Sequence, residues 1–233
     1  MKLIDLSALP DADQHAEEFL DELCQTLEFD FASYATANPV NGDVQGYANY
    51  PENWKRHYAK RGYHHFDPTL YRSVRSIAPV DWNRFDHDDK FRKVFRDACD
   101  FGISERGLTV PVRGPFGECG LLSVTRDCSQ DEWDKLKKNV MGDLQVSAVH
   151  LHDNVMQAGV LTKVMSMPSL SSREVEILQW VAVGKSQQDI GDILSISHRT
   201  VEVHLRSGRE KLGALTTPQA VGRAIGLNLV MPG

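Results

Sequence analysis

The sequence predicts two modules: an α+β module built as an α-β-α sandwich around an antiparallel sheet, then an all-α module of four helices. Three observations predict this. Stripes of apolar residues with a 3.6-residue period flank short strand candidates that come in pairs, each pair joined by turn residues. Residues 158–169 have no period and contain Gly159 and Pro168, which marks a linker between a first domain at 1–157 and a second at 170–233. The residues after that linker carry helical patterns only.

In chain order, Ala16, Phe19, Leu20, Leu23, Cys24 and Leu27 form the first helical stripe, in a helix starting near Asp11. Phe29–Thr36 reads as a strand, Asn38-Pro39 and Asn41-Gly42 as a turn, and Val44–Tyr50 as the returning strand. Trp54–Tyr63 is short, basic, aromatic and helical. Asp86–Phe101 is a helix with Phe91, Val94, Phe95 and Ala98 on one face. Gly107–Val112 and Gly120–Thr125 are strands around the turn Gly114-Pro115-Phe116-Gly117, with Pro111 demanding an edge or a bulge. Ser129 and Glu132 form a capping box. Behind it, Trp133, Leu136, Val140, Leu144, Ala148, Leu151 and Val155 define a long amphipathic helix.

In the second module, Ser171 and Glu174 form another capping box, Val175, Leu178 and Ala182 give the core face, and Gly184 ends the helix. The next helix opens at Ser186 with Ile190, Ile193 and Leu194 facing in. Ser195-Ile196 is a tight turn, and Ser197 caps a third helix through Leu212 with Val201, Leu205, Gly208 and Leu212 inward. Thr217-Pro218 starts the fourth, with Ala220, Val221, Ala224 and Ile225 inside.

Composition narrows the function classes. The longest apolar run, Trp180–Val183, is far short of the roughly 20 residues of a membrane span. Asp5 and Pro10 interrupt the N-terminus where an export signal would need an apolar stretch, so a cytoplasmic protein is expected. Cys24, Cys99, Cys119 and Cys128 have no CxxC spacing and read as free thiols, with redox sensing at Cys119 and Cys128 the alternative. Zinc ligation by the cysteines is a minor alternative, and His64-His65-x-Asp67 hints at a metal site; adjacent histidines diverge and no fourth ligand is evident, so neither metal nor cofactor is expected. No nucleophile with an adjacent base, phosphate loop or metal cluster suggests an enzyme. The net charge of −6 argues against a generally basic nucleic-acid binder, but the charge is uneven: the residues from Met167 onward sum to +1 and those before it to −7.

Two short helices, a tight turn and a helix with a cationic outer face read as a helix-turn-helix. Leu170-Ser-x-Arg-Glu-x-Glu-Ile-Leu-x-Trp-x-Ala-x-Gly-Lys185, Leu194-Ser-Ile-Ser197, Thr200-Val-x-x-His204 and Lys211-Leu212-Gly213 resemble the DNA-binding domain of LuxR-type transcription regulators. The departures are Asp189-Ile190-Gly191, where Glu-Ile-Ala is usual, and Ser207-Gly208, where Asn-Ala is common. The resemblance implies a homodimer on a palindromic double-stranded DNA site and RNA polymerase as a further partner. It places Lys185, Arg206, Arg209 and Lys211 at phosphates, with Arg199, Thr200 and His204 as further DNA contacts.

No receiver-domain pattern precedes this module. Tyr50-x-x-x-Trp54-x-x-x-Tyr58, Asp67-Pro68-Thr69, Trp82 and Arg106-Gly107-Leu-Thr-Val-Pro111 instead resemble the LuxR-family domain that senses N-acyl-homoserine lactones. The resemblance implies that Trp54 donates to the lactone carbonyl, Asp67 accepts the amide N–H, and Tyr50, supported by Thr125, donates to the acyl carbonyl. Ser123 is the alternative to Thr125. Trp82 walls the ring, and Tyr58 and Thr69 complete the ligand set. The function implied is lactone-dependent control of quorum-sensing promoters. The alternative is a ligand-independent regulator with a vestigial pocket.

Overall fold

The computed structural model describes residues 12–37, 44–114, 117–157 and 168–231. The turn expected at 38–42, the central residues Pro115 and Phe116 of the second turn, and the linker as far as residue 167 lie outside the described residues.

The first helix, α1 (Ala12–Leu27), buries all six residues of its predicted stripe. Strands β1 (Phe31–Ala37) and β2 (Val44–Ala48) pair antiparallel as the hairpin reading requires. Helix α2 (Glu52–Arg61) ends at Gly62, whose φ of 64° gives the left-handed cap that a glycine adopts without strain. Asp67 caps α3 (Pro68–Ser73), with proline in the first turn where its missing N–H has no helical partner to lose. A two-residue strand, β3 (Val80–Asp81), leads into a single 3₁₀ turn (Trp82–Arg84). Helix α4 (Asp89–Asp100) follows and buries Phe91, Val94, Phe95 and Ala98 as expected. Strands β4 (Gly107–Arg113) and β5 (Cys119–Thr125) pair antiparallel, and α5 (Gln130–Gln157) is the long amphipathic helix. The Ser129–Glu132 capping box forms in both directions.

The sheet order is β2-β1-β5-β4-β3, antiparallel throughout. Beside β4, β3 reaches only Leu108 and Thr109. Pro111 therefore sits where the strand's outer side has no neighbour, as an edge proline must. Alternation along the strands splits the two faces. Ala32, Tyr34, Leu108, Val110, Leu122 and Val124 pack with α1 and α5, around the fully buried Trp133. On the other side of the sheet, a second cluster joins Trp54, Tyr63, Trp82, Phe91, Phe95 and Ile103. This is the α-β-α sandwich.

The second unit holds α6 (Ser172–Ala182), α7 (Gln187–Leu194), α8 (His198–Lys211) and α9 (Thr217–Gly226). Both halves of the Ser171–Glu174 capping box are made, and Val201, Leu205, Gly208 and Leu212 are buried together. Three details differ from the sequence reading. Helix α6 buries Glu174, Ile177 and Leu178, leaving Val175 and Ala182 half-buried, because its inner face is turned to admit a carboxylate. Ile193 is 44% exposed, and only Ile190 of that expected trio is fully buried. Thr216, not Thr217, caps α9 by accepting from the Gln219 N–H, and Val221 and Ile225 are half-buried around the buried Ala220 and Ala224.

The tight turn between α7 and α8 places Ser195 at φ 53°. Its geometry also explains one departure from the family pattern. A Cβ at Gly191 would stand 2.8 Å from the Ile196 carbonyl oxygen, so the turn closes over a position where a methyl would force the backbone apart.

Candidate ligand cavity and DNA-facing helix

A cavity of about 440 Å³ lies between the sheet and α2–α4, within the size range of small-molecule sites. Tyr50, Trp54, Tyr58, Asp67, Thr69 and Trp82 all line it, so six of the seven predicted ligand residues converge from separate elements. Trp54 and Tyr58 are one turn apart on α2 and therefore share a face. Asp67 and Thr69 come from the start of α3, and Trp82 from the turn after β3.

Thr125 is buried at the end of β5 and lies outside the lining, whereas Ser123 lines the cavity. Both residues point to the same face. Thr125 lies about 7 Å farther along the strand, given ~3.4 Å per residue. The strand pairing separates the two positions: Ser123 stands opposite Ser33 and Thr109 in mid-sheet.

Asp67 is both cap and wall. Its Oδ1 accepts from the Thr69 N–H at 2.8 Å and from the Thr69 hydroxyl at 2.7 Å, while Oδ2 accepts from the Tyr58 hydroxyl at 2.8 Å. Burial raises its pKa, and the Thr69 and Tyr58 donors pull the other way. Each carboxylate oxygen has two lone pairs, so Oδ2 retains acceptor capacity beside its single donor. Trp54 lines the cavity with no hydrogen bond to its indole N–H among the described residues.

The Trp82 indole N–H donates to Thr109 Oγ1 at 2.8 Å, and Thr109 Oγ1 lies 2.8 Å from Ser123 Oγ. The Trp82 ring is seated over Gly107, where a Cβ would approach within 2.3 Å of it. Lys137 of α5 pairs with Asp81, the residue that caps the Trp82 turn. Thr109 and Ser123 are the main residues missed as a unit. A threonine and a serine on alternating strands read as ordinary sheet residues, and only their register joins them.

His64 lines the cavity and its ring lies against His65, but no three His, Cys, Asp or Glu residues converge as a metal set among the described residues. All four cysteines are free, and burial raises the thiol pKa of Cys119 and of Cys128, the opposite of what a reactive thiolate needs.

On α8, Arg199, Thr200 and Arg206 are exposed, and His204 and Arg209 are half-exposed; Lys185 is exposed ahead of α7. Arg206 pairs with Glu210 on the surface. Gln187 donates to Glu202, which also pairs with Arg209, so a polar chain runs from α7 onto α8. Lys211 is exposed but paired: its ammonium lies 2.8 Å from an oxygen of the buried Glu174. The Ser207 hydroxyl donates to the same carboxylate at 2.7 Å. Burial opposes ionisation of Glu174, yet Lys211, Ser207 and the Ser171 N–H together hold its pKa at about 2.

Comparison with known proteins agrees with both halves. The autoinducer binding domain matches residues 13–155, and the domain of bacterial regulatory proteins of the luxR family matches residues 168–224. The transcriptional activator protein RaiR of Rhizobium etli is 37% identical over 171 residues, spanning 73% of this chain and 71% of the relative. The HTH-type transcriptional regulator y4qH of Sinorhizobium fredii is 34% identical over 203 residues; the match takes in 85% of this chain but 61% of that longer protein. The crystal structure of Escherichia coli SdiA superposes with a TM-score of 0.79 at 28% identity, covering 97% of this chain and 94% of SdiA. SdiA has also been solved in complex with octanoyl-rac-glycerol, with a TM-score of 0.74 and 25% identity over 99% of each chain. With an autoinducer-binding sandwich followed by a helix-turn-helix unit, the chain belongs to the LuxR family of ligand-responsive, DNA-binding transcription regulators, a family of regulators rather than enzymes.

Proposed function

We propose that the cavity binds an N-acyl-homoserine lactone and that the bound form acts as a homodimer on a palindromic promoter site. The observation that carries this is the pairing, in one cavity, of an unspent donor with a buried acceptor: the Trp54 indole N–H and the Asp67 carboxylate. In this reading Trp54 donates to the lactone carbonyl and Asp67 accepts the amide N–H. Tyr50 and Ser123 donate to the acyl carbonyl, Ser123 taking the place first given to Thr125. Trp82 packs against the ring, while Tyr58 and Thr69 fix the Asp67 carboxylate. Buried polar groups of this kind penalise analogues that leave one unpaired by about 1–3 kcal/mol each.

Residues 1–157 form the sensing domain, 158–169 the linker and 170–233 the DNA-binding domain. Lys185, Arg206 and Arg209 contact phosphates, and Arg199, Thr200 and His204 approach the groove. Lys211, bound to Glu174, serves DNA binding by fixing α8. The regulator works in the cytoplasm on quorum-sensing promoters, with RNA polymerase as its further partner.

The SdiA complex with an acylglycerol favours a second reading, in which a monoacylglycerol hydroxyl replaces the lactone amide at Asp67. Thermal melting of the full chain against acyl-homoserine lactones and monoacylglycerols separates the two. A rise of several degrees with a lactone, lost in Asp67→Asn, is the expected result. A rise with acylglycerols alone would install the second reading, and no shift with either class would leave a regulator whose cavity holds no such signal.

A further inference from the structure

We infer that the cavity selects an acyl chain carrying an oxygen on its third carbon, a 3-oxo or 3-hydroxy acyl group. This rests on the lactone reading above and names the acyl class within it.

The argument begins with proton direction. An indole N–H can only donate, so Trp82 donates and Thr109 Oγ1 accepts. Thr109 is fully buried, and its own hydroxyl proton has one acceptor within reach among the described residues, Ser123 Oγ at 2.8 Å. Leaving that proton unpaired in the interior is costly, so the chain runs from Trp82 through Thr109 to Ser123. The Ser123 proton is then unspent, on a side chain that lines the cavity. On the neighbouring strand Ser33 lines the same cavity and brings a second hydroxyl donor to it.

Ser33 and Ser123 are direct cross-strand partners, with Cβ atoms about 5 Å apart. Two donors therefore stand side by side over one stretch of ligand. A plain acyl amide brings one oxygen to that stretch. A chain oxygenated at its third carbon brings two, in a 1,3 relation. Past the serines the floor turns small and apolar at Ala35 and Gly46, which offer no side-chain polar atom to the rest of the chain. A site with two hydroxyl donors rejects the ligand that satisfies only one, because the other is left desolvated and unpaired.

The test uses matched ligands of equal length on the full chain: N-octanoyl-, N-(3-oxooctanoyl)- and N-(3-hydroxyoctanoyl)-homoserine lactone, repeated with the hexanoyl and dodecanoyl series. The expected result is about tenfold tighter binding of an oxygenated member than of its plain counterpart, by calorimetric titration. Ser33→Ala should bring that ratio close to one. Equal affinities in the wild-type protein would mean that both donors share the single acyl carbonyl, and would overturn the inference while leaving the lactone reading intact. A preference that survives Ser33→Ala would overturn it as well. Failure of every lactone to bind would remove it together with the reading on which it rests.

Discussion

Asp67 carries an ionisable group where solvent is scarce, and the sign of its pH effect follows. Burial raises its folded pKa above the ordinary carboxylate value of 3.8. Between the two values the native state holds more protons than the unfolded chain, so stability falls as pH rises through that window. Above it, the ligand-free sandwich carries the full cost of an ionised, buried carboxylate. Asp67→Asn is therefore expected to flatten the pH dependence of apo melting from about pH 4 upward. A melting series from acid to neutral pH checks this, and an unchanged slope would show that the Thr69 and Tyr58 donors already cancel the cost of burial. At this scale the sequence was informative where a side chain's chemistry is rare. A tryptophan or an aspartate in an ordered aromatic set stood out, and all of that set reached the cavity. Hydroxyl residues were less legible. Ser123 and Thr125 differ in sequence by two positions on one strand face, and pairing with Ser33 and Thr109 is what separates them.

Helices whose stripes run over three or more turns were read correctly, as in α1, α4 and α8, because a long 3.6-residue period leaves little ambiguity. Strand β3 went unread; two residues carry no period, and it exists only because β4 offers an edge at Leu108 and Thr109. In α6 the apolar pattern pointed to Val175 and Ala182, whereas the core side is set by Glu174 reaching Lys211 and Ser207 on α8. That tie yields a prediction for the element pair. With the folded pKa of Glu174 at about 2, below the unfolded value, its stabilisation is present above the ordinary glutamate range and is lost as pH falls toward 2. Lys211→Ala should lower the melting temperature of the second unit, while Arg206→Ala should leave melting unchanged and reduce the salt slope of DNA binding by about one. If Lys211→Ala instead shifts only the salt slope, Lys211 belongs at a phosphate. Gly208 gives a second prediction. A Cβ there meets only Leu178 Cδ1, at an ordinary 3.6 Å, so Gly208→Ala should stabilise α8 by up to about 1 kcal/mol through helix propensity, as chemical denaturation can measure.

Across the whole molecule, the family fixes the general division of labour, and the cavity sets how the signal acts. A ligand that binds the folded state alone stabilises it by about 2.7 kcal/mol at a hundred times its dissociation constant. Two recognition helices related by a two-fold axis should protect two half-sites about one helical turn apart, or at a related spacing. A footprint titration that found a single unsymmetrical site would overturn the dimer. The two-module plan was legible because the change in periodicity around residue 158 is abrupt. The full lining of the cavity was not, since it draws on α1 through α4 and on β1, β2 and β5, whose closeness is a property of the whole fold.

The hydroxyl relay of Trp82, Thr109 and Ser123 has one more consequence. In the proposed complex its two ends touch different parts of the same molecule, the ring at Trp82 and the acyl carbonyl at Ser123. Ligand chemistry at these two positions should then fail to add. Replacing the lactone by a bulkier or flatter ring tilts Trp82, and the tilt reaches the acyl end through two hydrogen bonds of 2.8 Å. A double-mutant cycle between ring analogues and acyl analogues should show a coupling energy, and Thr109→Val should abolish it. Such a receptor would recognise the head of its signal as one unit, and mixtures of near-miss signals would not mimic it by each satisfying half.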